Sequence, residues 1–451
     1  MKLAWIPLMS ILMMAMPRLG CAADAAAERG PIELSLKQAV DVAVSAEGNT
    51  NIRLSGESLK QAQSRALQAR AALLPDLEGA FTERSQTVNL AAEGLTSIKL
   101  PFAGFAFPSM VGPFTTEDAR LSVQQSVFDF GSIRRFQASR VGVSAATQEL
   151  DSTAERVAAE VARAYLAAVR ADADVDTANA NITLSEAVLT QAENQKKAGT
   201  GTGIEVTRAK VQLANDRQHL LVTENTRRSA HLELLRAMGT PLDTEVKLTD
   251  KLGYVPVDAV TLEEARAQAL QARPDLKAQQ RREENARLSA SAVKMERLPS
   301  LAAFGDYGSS GISVDNSLPT RTYGISLKVP LFDGGRRDAR RAEAASQYRS
   351  EKVRTDDLKQ QIDLDVRLAL DGLRSAEDQV KVAREGLELS DSELTQARRR
   401  YDAGVANSLE VTDAQTRLER ARDNETQALY NYNVARIDLA QAMGNMRRSI
   451  P

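Results

Sequence analysis

The chain has 451 residues, of which 4 % are aromatic and 26 % charged, and its formal net charge is −2. Few aromatics and many alanines suit long helices with narrow seams better than one large globular core, and so balanced a charge offers no basic field to nucleic acid. Beyond the first residues there is no run of eighteen apolar residues, so any membrane crossing here is not α-helical.

Residues 1–23 read as a secretory signal: Lys2, an apolar run, then small residues, with cleavage after Ala23. Cys21 is the only cysteine, so there is no disulfide. It is either discarded with the signal or lipidated, although Arg18 stands where lipoprotein signals usually carry an aliphatic residue. Residues 24–34 form a linker.

The rest is one unit written twice, repeat 1 over 35–239 and repeat 2 over 261–445, joined by a connector at 240–260 and followed by a tail at 446–451. Adding 205 carries Ala198-Gly199 onto Ala403-Gly404, Glu205-Val206-Thr207 onto Glu410-Val411-Thr412, and Ala237-Met238-Gly239 onto Ala442-Met443-Gly444. A single long offset marks a tandem duplication rather than a short-period solenoid. Each copy opens with a helical stretch (Leu36 to Leu73, Leu262 to Leu298) that Leu-Pro ends. Strands follow at about 76–89 and 118–130 in the first copy, and at 300–312 and 320–333 in the second. The second strand of each pair alternates clearly: Leu121, Val123 and Val127 oppose Ser122, Gln124 and Ser126, while Tyr323, Ile325, Leu327, Val329 and Leu331 oppose Thr322, Gly324, Ser326 and Lys328. About ten alternating residues suffice for a tilted strand to cross a bilayer.

Both strands run into similar corners, Phe128-Asp129 before Gly131 and Phe332-Asp333 before Gly335. A very long helix begins at each. From Gly131 to Lys197 it spans about 100 Å at 1.5 Å per residue. Its seam repeats every seven residues through Leu150, Val157, Ala164 and Ala171, with a second through Ala154, Val161, Ala168 and Val175; shifted copies pass through Ile362 and Val366. Sustained heptads predict supercoiled helices, and their alanines a close approach. A turn then returns the chain as Ile204 to Met238 and Leu409 to Met443. Gly199 and Gly404 occupy C-cap positions, and Thr202 with Glu205, like Asn407 with Glu410, has capping-box spacing.

Four bilayer-length strands cannot close a barrel, and lipid does not tolerate an open sheet edge. The chain therefore lends strands to a shared barrel or is not a membrane protein. The paired "LP.L" strand starts, the paired "FD.G" corners, the two long helices and the turn "YDAGVANSLEVTDA" at Tyr401 resemble the TolC-like outer-membrane efflux proteins over essentially all of the mature chain. That resemblance implies a mainly α fold with a small membrane β part. In it, a homotrimer forms a 12-stranded β-barrel continuous with a 12-helix α-barrel. It implies a passive exit duct for efflux or type I secretion, set in outer membrane lipid, whose periplasmic tip opens on docking to an adaptor and an inner-membrane RND or ABC transporter. It assigns gate and selectivity roles to Asp413, Glu410 and Glu205, and a closing contact to Tyr401. The arginine of that network falls on Ala406, leaving Arg208, opposite Asp413 by the repeat, as the candidate replacement. The tip turns offered to an adaptor are Gly199, Thr200, Gly203, Gly404, Val405 and Ser408. The rival reading is a periplasmic coiled-coil adaptor or scaffold, which would more typically carry one hairpin within split β domains.

No enzymatic constellation stands out. "AGTGTG" follows a helix and lacks G-K-[ST], so it is no nucleotide loop, and His219 and His231 belong to no metal-ligand cluster. No cofactor or metal is expected. The loop from Leu90 to Phe114 holds Phe102, Phe105, Phe107 and Phe114, which suit a flexible outer loop, a lid over the barrel mouth or a contact with lipopolysaccharide.

Overall fold

The computed structural model describes residues 32–97, 107–257, 260–406 and 408–449. The expectations for the signal, Cys21, Phe102, Phe105 and the Asn407 cap lie outside them.

Two helical hairpins dominate. The first pairs α3 (Phe130–Lys197) with α4 (Gly203–Met238), and the second pairs α7 (Arg336–Asp402) with α8 (Ser408–Ala442). In the half nearer the turns the helices lie in the order α4-α3-α8-α7. In the other half α2 (Thr50–Ala71) and α6 (Pro274–Met295) pack along α3, and α6 also meets α7. The heptad seams are where the chain is driest: Val157, Val161, Ala168, Ile362 and Val366 are fully buried. Alanine in these rows lets backbones approach closely, the requirement for a wall one helix thick.

The opening stretch of each repeat is broken rather than continuous. The first copy splits into α1 (Leu36–Val44) and α2, and the second into α5 (Leu262–Ala272) and α6. Asn49 caps α2 by accepting from the Asn51 N–H at 2.7 Å, while Pro274 occupies the first turn of α6, where its missing N–H costs nothing. At the same level, β1 (Ile32–Leu34) pairs in parallel with β4 (Val246–Leu248). The supposed linker thus ends in a strand, and the supposed tail begins with α9 (Met446–Ser449), whose Met446 is buried in the central core. Tyr165 anchors this belt: its hydroxyl lies 2.8 Å from Asp250 Oδ2 and 2.9 Å from Leu34 O, two acceptors for its single proton.

The remaining strands, β2 (Asp76–Asn89), β3 (Met110–Phe128), β5 (Ser300–Gly311) and β6 (Leu318–Lys328), form one antiparallel sheet in that order. β3 starts eight residues before the expected 118, because β2 pairs along its whole length, out to Asn89 opposite Met110. At 19 residues it is far longer than a bilayer requires, so its polar outer part needs no apolar alternation. β6 ends at Lys328, short of the expected 333, since Pro330 cannot continue the ladder. Leu331 and Phe332 beyond it are 90 % exposed. Register puts Leu77, Val123, Gly305 and Tyr323 on one face, and Glu78, Ser122, Asp306 and Thr322 on the other. On the polar face Arg120 reaches from β3 to Asp306 of β5 and to Thr320 of β6 at 3.2 Å.

Candidate functional site

The two corners that join sheet to hairpin differ. Asp129 is the N-cap of α3; it accepts from the Gly131 N–H at 2.8 Å, and Gly131 is a buried helical residue. Asp333 lies two residues before the Gly335 cap, where it accepts from Arg337 N and Nε at 3.1 and 2.7 Å. There the cap is Gly335 itself, at φ 86°. The matching sequence therefore does not make matching corners: Phe128 ends a strand, whereas Phe332 lies beyond one.

At the opposite end both hairpins turn alike. Gly199 and Gly404 are left-handed, at φ 75° and 73°, and donate to Lys196 O at 3.1 Å and Tyr401 O at 3.0 Å. Thr200 and Val405 donate one turn back, to Gln195 O and Arg400 O, both at 3.0 Å. Orphan helix carbonyls are thereby satisfied with few residues, which keeps the tips tight. Val405 is exposed, whereas Ser408 is buried at the start of α8. Gly203 begins α4 and meets no close neighbour, so it faces open space.

Four of the helices converge just inside these turns. Tyr401 of α7 is buried, packs with Leu394, Val411 and Leu418, and donates its hydroxyl to Gln195 Oε1 of α3. Burial pushes its phenol above the usual range, with the charges of Glu205 and Asp402 adding to the effect. Next to it, Gln191 Nε2 of α3 donates to Asp402 Oδ1 of α7. These two bonds tie the hairpins together. Glu205 accepts from the Thr202 N–H at 2.7 Å, so its carboxylate holds a helix start. Glu410 pairs with Arg400 Nε at 3.0 Å. Asp413 and Arg208 are both exposed, and among the described residues no ion pair joins them. Among the described residues Asp413 has no ion pair.

The site thus unites Tyr401 with Glu205, and leaves Asp413 and Arg208 apart. Gln191, Gln195 and Asp402 were not among the candidates; their only sequence signal is that they lie in the last two turns before each C-cap.

The sequence matches the outer membrane efflux protein family over residues 45–240 and 265–445, most of both repeats. The chain belongs to that family. As an outer membrane efflux protein it resides in the bacterial outer membrane, with its helices in the periplasm. It is 24 % identical over 394 residues to the pyoverdine export outer membrane protein OpmQ of Pseudomonas putida, covering 86 % of this chain and 81 % of that one. It is 23 % identical over 323 residues to the alkaline protease secretion protein AprF of Pseudomonas aeruginosa, covering 70 % and 67 %. Two solved folds are similar: the CmeC outer membrane channel of Campylobacter jejuni, with TM-score 0.78 and 16 % identity over 91 % of this chain and 86 % of that one, and VceC of Vibrio cholerae, with TM-score 0.75 and 18 % identity over 91 % and 96 %.

Proposed function

We propose that three copies of this chain close into a single duct and that Tyr401, with the carboxylates beside it, forms its periplasmic gate. The observation that carries the reading is a pair of unfinished edges. In the sheet, among the described residues, β2 and β6 each lack a neighbour on one side. In the hairpins, the outer helices α4 and α7 expose apolar rows, Ile204, Val211 and Val222 on one and Leu368, Val382 and Leu389 on the other. The two edges are built from different segments, β2 and α4 against β6 and α7, so a copy joins head-to-tail with the next, and a rotation that closes gives a ring. An open edge is not stable in lipid, and twelve strands exceed the minimum for a barrel. The apolar row holding Leu77, Val123 and Tyr323 then faces lipid, and the row holding Glu78 and Asp306 faces the lumen.

The duct has no energy source of its own. It serves efflux or type I secretion by docking at its tip turns, Gly199 to Gly203 and Gly404 to Val405, with an adaptor and an inner-membrane transporter. The relatives named for pyoverdine export and protease secretion support both uses, since one conduit passes whatever its pump delivers. The test is planar-bilayer conductance of detergent-purified protein, together with its assembled mass. A three-chain mass with small cation-preferring steps is expected, and a monomer that leaves the membrane without detergent would refute the reading.

A further inference from the structure

Where the helices meet the sheet, each repeat ends its opening helical stretch on an exposed apolar residue with a cation one turn before it. Leu74 follows Arg70 and Leu298 follows Lys294, and adding 224 carries the first pair onto the second. The helical turn continues through both: the Leu74 N–H donates to Ala71 O and the Leu298 N–H to Met295 O, each at 2.9 Å. α3 carries such a pair in the opposite sense, with exposed Phe130 at its start and Arg134 four residues on. Residues four apart share one helix face.

The sheet shows which way that face looks. Its apolar row runs from Tyr323 and Gly305 to Leu327, Leu301 and Phe128 on the last rungs before the helices. Phe128 stacks edge-on against Phe130, ring centroids 4.3 Å apart, and so carries the same side onto α3. In the closed ring of the preceding subsection, on which this inference rests, that side faces lipid. One helical turn, about 5.4 Å, separates each apolar residue from its cation. The polar layer on either side of a bilayer's hydrocarbon core is about as thick, roughly 5–7 Å.

These cations are a surplus. The acids at their level are already engaged: Asp129 and Glu296 hold Arg135 at 3.4 and 3.3 Å, Glu296 also holds Arg340 at 2.8 Å, Asp333 holds Arg337 at 2.7 Å, and Asp338 pairs with Arg297. Asp76 stands in the polar row, opposite Gln124. Arg70 and Lys294 are exposed and have no ion pair among the described residues. Arg134 donates to a neutral acceptor, Gln137 Oε1, at 2.9 Å. The helix dipole favours cations where α2 and α6 end, but it disfavours one in the first turns of α3, so it does not account for Arg134.

We propose that Arg70, Arg134 and Lys294 form a collar around the duct that binds the phosphates of anionic phospholipids in the periplasmic leaflet of the outer membrane. Leu74, Phe130 and Leu298 seat among the acyl chains, and the longer cationic side chains reach the headgroups beside them. Lipids of the opposite leaflet lie toward the far end of β3, a strand of 19 residues, and do not reach this level.

To test this, the assembly is purified in detergent that holds equal parts of phosphatidylglycerol and phosphatidylcholine with matched acyl chains, and the lipid it retains is measured by mass spectrometry. Phosphatidylglycerol is expected to be enriched roughly fivefold or more, the scale of one basic side chain at an anionic surface, and less so at high salt. Arg70→Gln with Arg134→Gln and Lys294→Gln should bring the two lipids near parity, whereas Arg70→Lys with Arg134→Lys should keep the preference. Removing as many charges at the tips, with Lys196→Gln, Lys197→Gln and Arg399→Gln, should leave it unchanged. Equal retention of both lipids by the unmodified three-chain assembly, or a preference that the first triple variant keeps, overturns the proposal. A triple variant that shifts the reversal potential in planar bilayers but not the lipid ratio also overturns it, by placing these cations in the lumen. If the unmodified protein forms no three-chain assembly, the ring itself fails, so the two failures are told apart.

Discussion

Asn49 Nδ2 donates to the carbonyl oxygen of Ala237 at 2.7 Å, and 224 positions further on Arg273 repeats the reach, its Nη1 lying 3.5 Å from Ala442 O. In each repeat, then, the break in the opening helical stretch caps the end of the return helix. The glycine after each return helix makes this contact possible. Gly239 and Gly444 are left-handed, at φ 77° and 72°, and a Cβ on them would come within 2.7 Å of Gly48 O and 2.8 Å of Arg273 Cα. Breaks and returns therefore meet at one level, where the central belt also gathers.

Removing the Asn49 amide leaves a carbonyl of Ala237 without that donor. Asn49→Ala is expected to cost about 1–2 kcal/mol of stability, from the lost bond and the lost α2 cap. Gly239→Ala should cost more, since it adds left-handed strain to a backbone collision. Thermal unfolding of the purified assembly, read by circular dichroism, checks both. Equal midpoints for Asn49→Ala and the unmodified protein would show that the belt does not depend on this bond.

Tyr401→Phe keeps the ring packed against Leu394 and Leu418 but gives up its donor to Gln195. The tie between hairpins is expected to weaken by about 1–3 kcal/mol, since Gln195 Oε1 loses its partner near a buried site. Conductance should then show longer or larger openings with the assembled mass unchanged. If Tyr401→Phe gates like the unmodified protein, the hydroxyl is not a closing contact.

Much of this architecture is legible in the sequence because it repeats. Seven-residue rows through Val157 and Ile362 reveal the hairpins, and alternation around Leu121 and Tyr323 reveals the sheet. What stays hidden is short or depends on register. Three residues at Ile32–Leu34 carry no period, and the breaks at Gly48-Asn49 and Arg273-Pro274 are marked only by a short turn signal and a single proline within longer helical stretches. β3 begins at Met110, in a Met-Val-Gly-Pro-Phe stretch without clean alternation, because its partner's length decides where pairing starts. At the tip, Tyr401 is visible as a residue, but its partner Gln195 follows only from how far one hairpin slides along the other.

The three tip carboxylates should behave differently. Glu205 is committed to the Thr202 N–H and Glu410 to Arg400, whereas Asp413 is exposed without an ion pair among the described residues. Three-fold symmetry would make Asp413 a ring of charge in a narrow passage. Asp413→Asn is expected to reduce cation preference severalfold, seen as a shift of reversal potential toward zero. Glu205→Gln, which preserves an acceptor for the helix start, should leave that potential nearly unchanged. A larger shift from Glu205→Gln than from Asp413→Asn would reverse this assignment.

A last titration lies further along the hairpins. Glu419 of α8 is pushed up to about 7, first by burial and then by the charges of Asp216 and Asp423, against a smaller opposing effect of Arg422. Its Oε1 is buried with no hydrogen-bond partner among the described residues. Asp216 is itself bonded by Ser185 and by Gln212 Nε2 at 2.9 Å, and so stays beside Glu419 as a fixed acceptor. Asp423 and Asp174 are also raised by burial, with Arg170 and His219 opposing. Folded Glu419 holds its proton up to about 7, while an unfolded glutamate releases it near 4.5. Between those values the folded state binds more protons, so stability falls as pH rises through that window. The effect is on the order of 1 kcal/mol per chain after solvent screening of a half-buried group. Hydrogen exchange of α8 is therefore expected to be slower relative to its intrinsic rate at pH 5.5 than at pH 7.5, and Glu419→Gln should flatten that difference. An unchanged pH slope in Glu419→Gln would assign the effect to Asp423 or Asp174 instead.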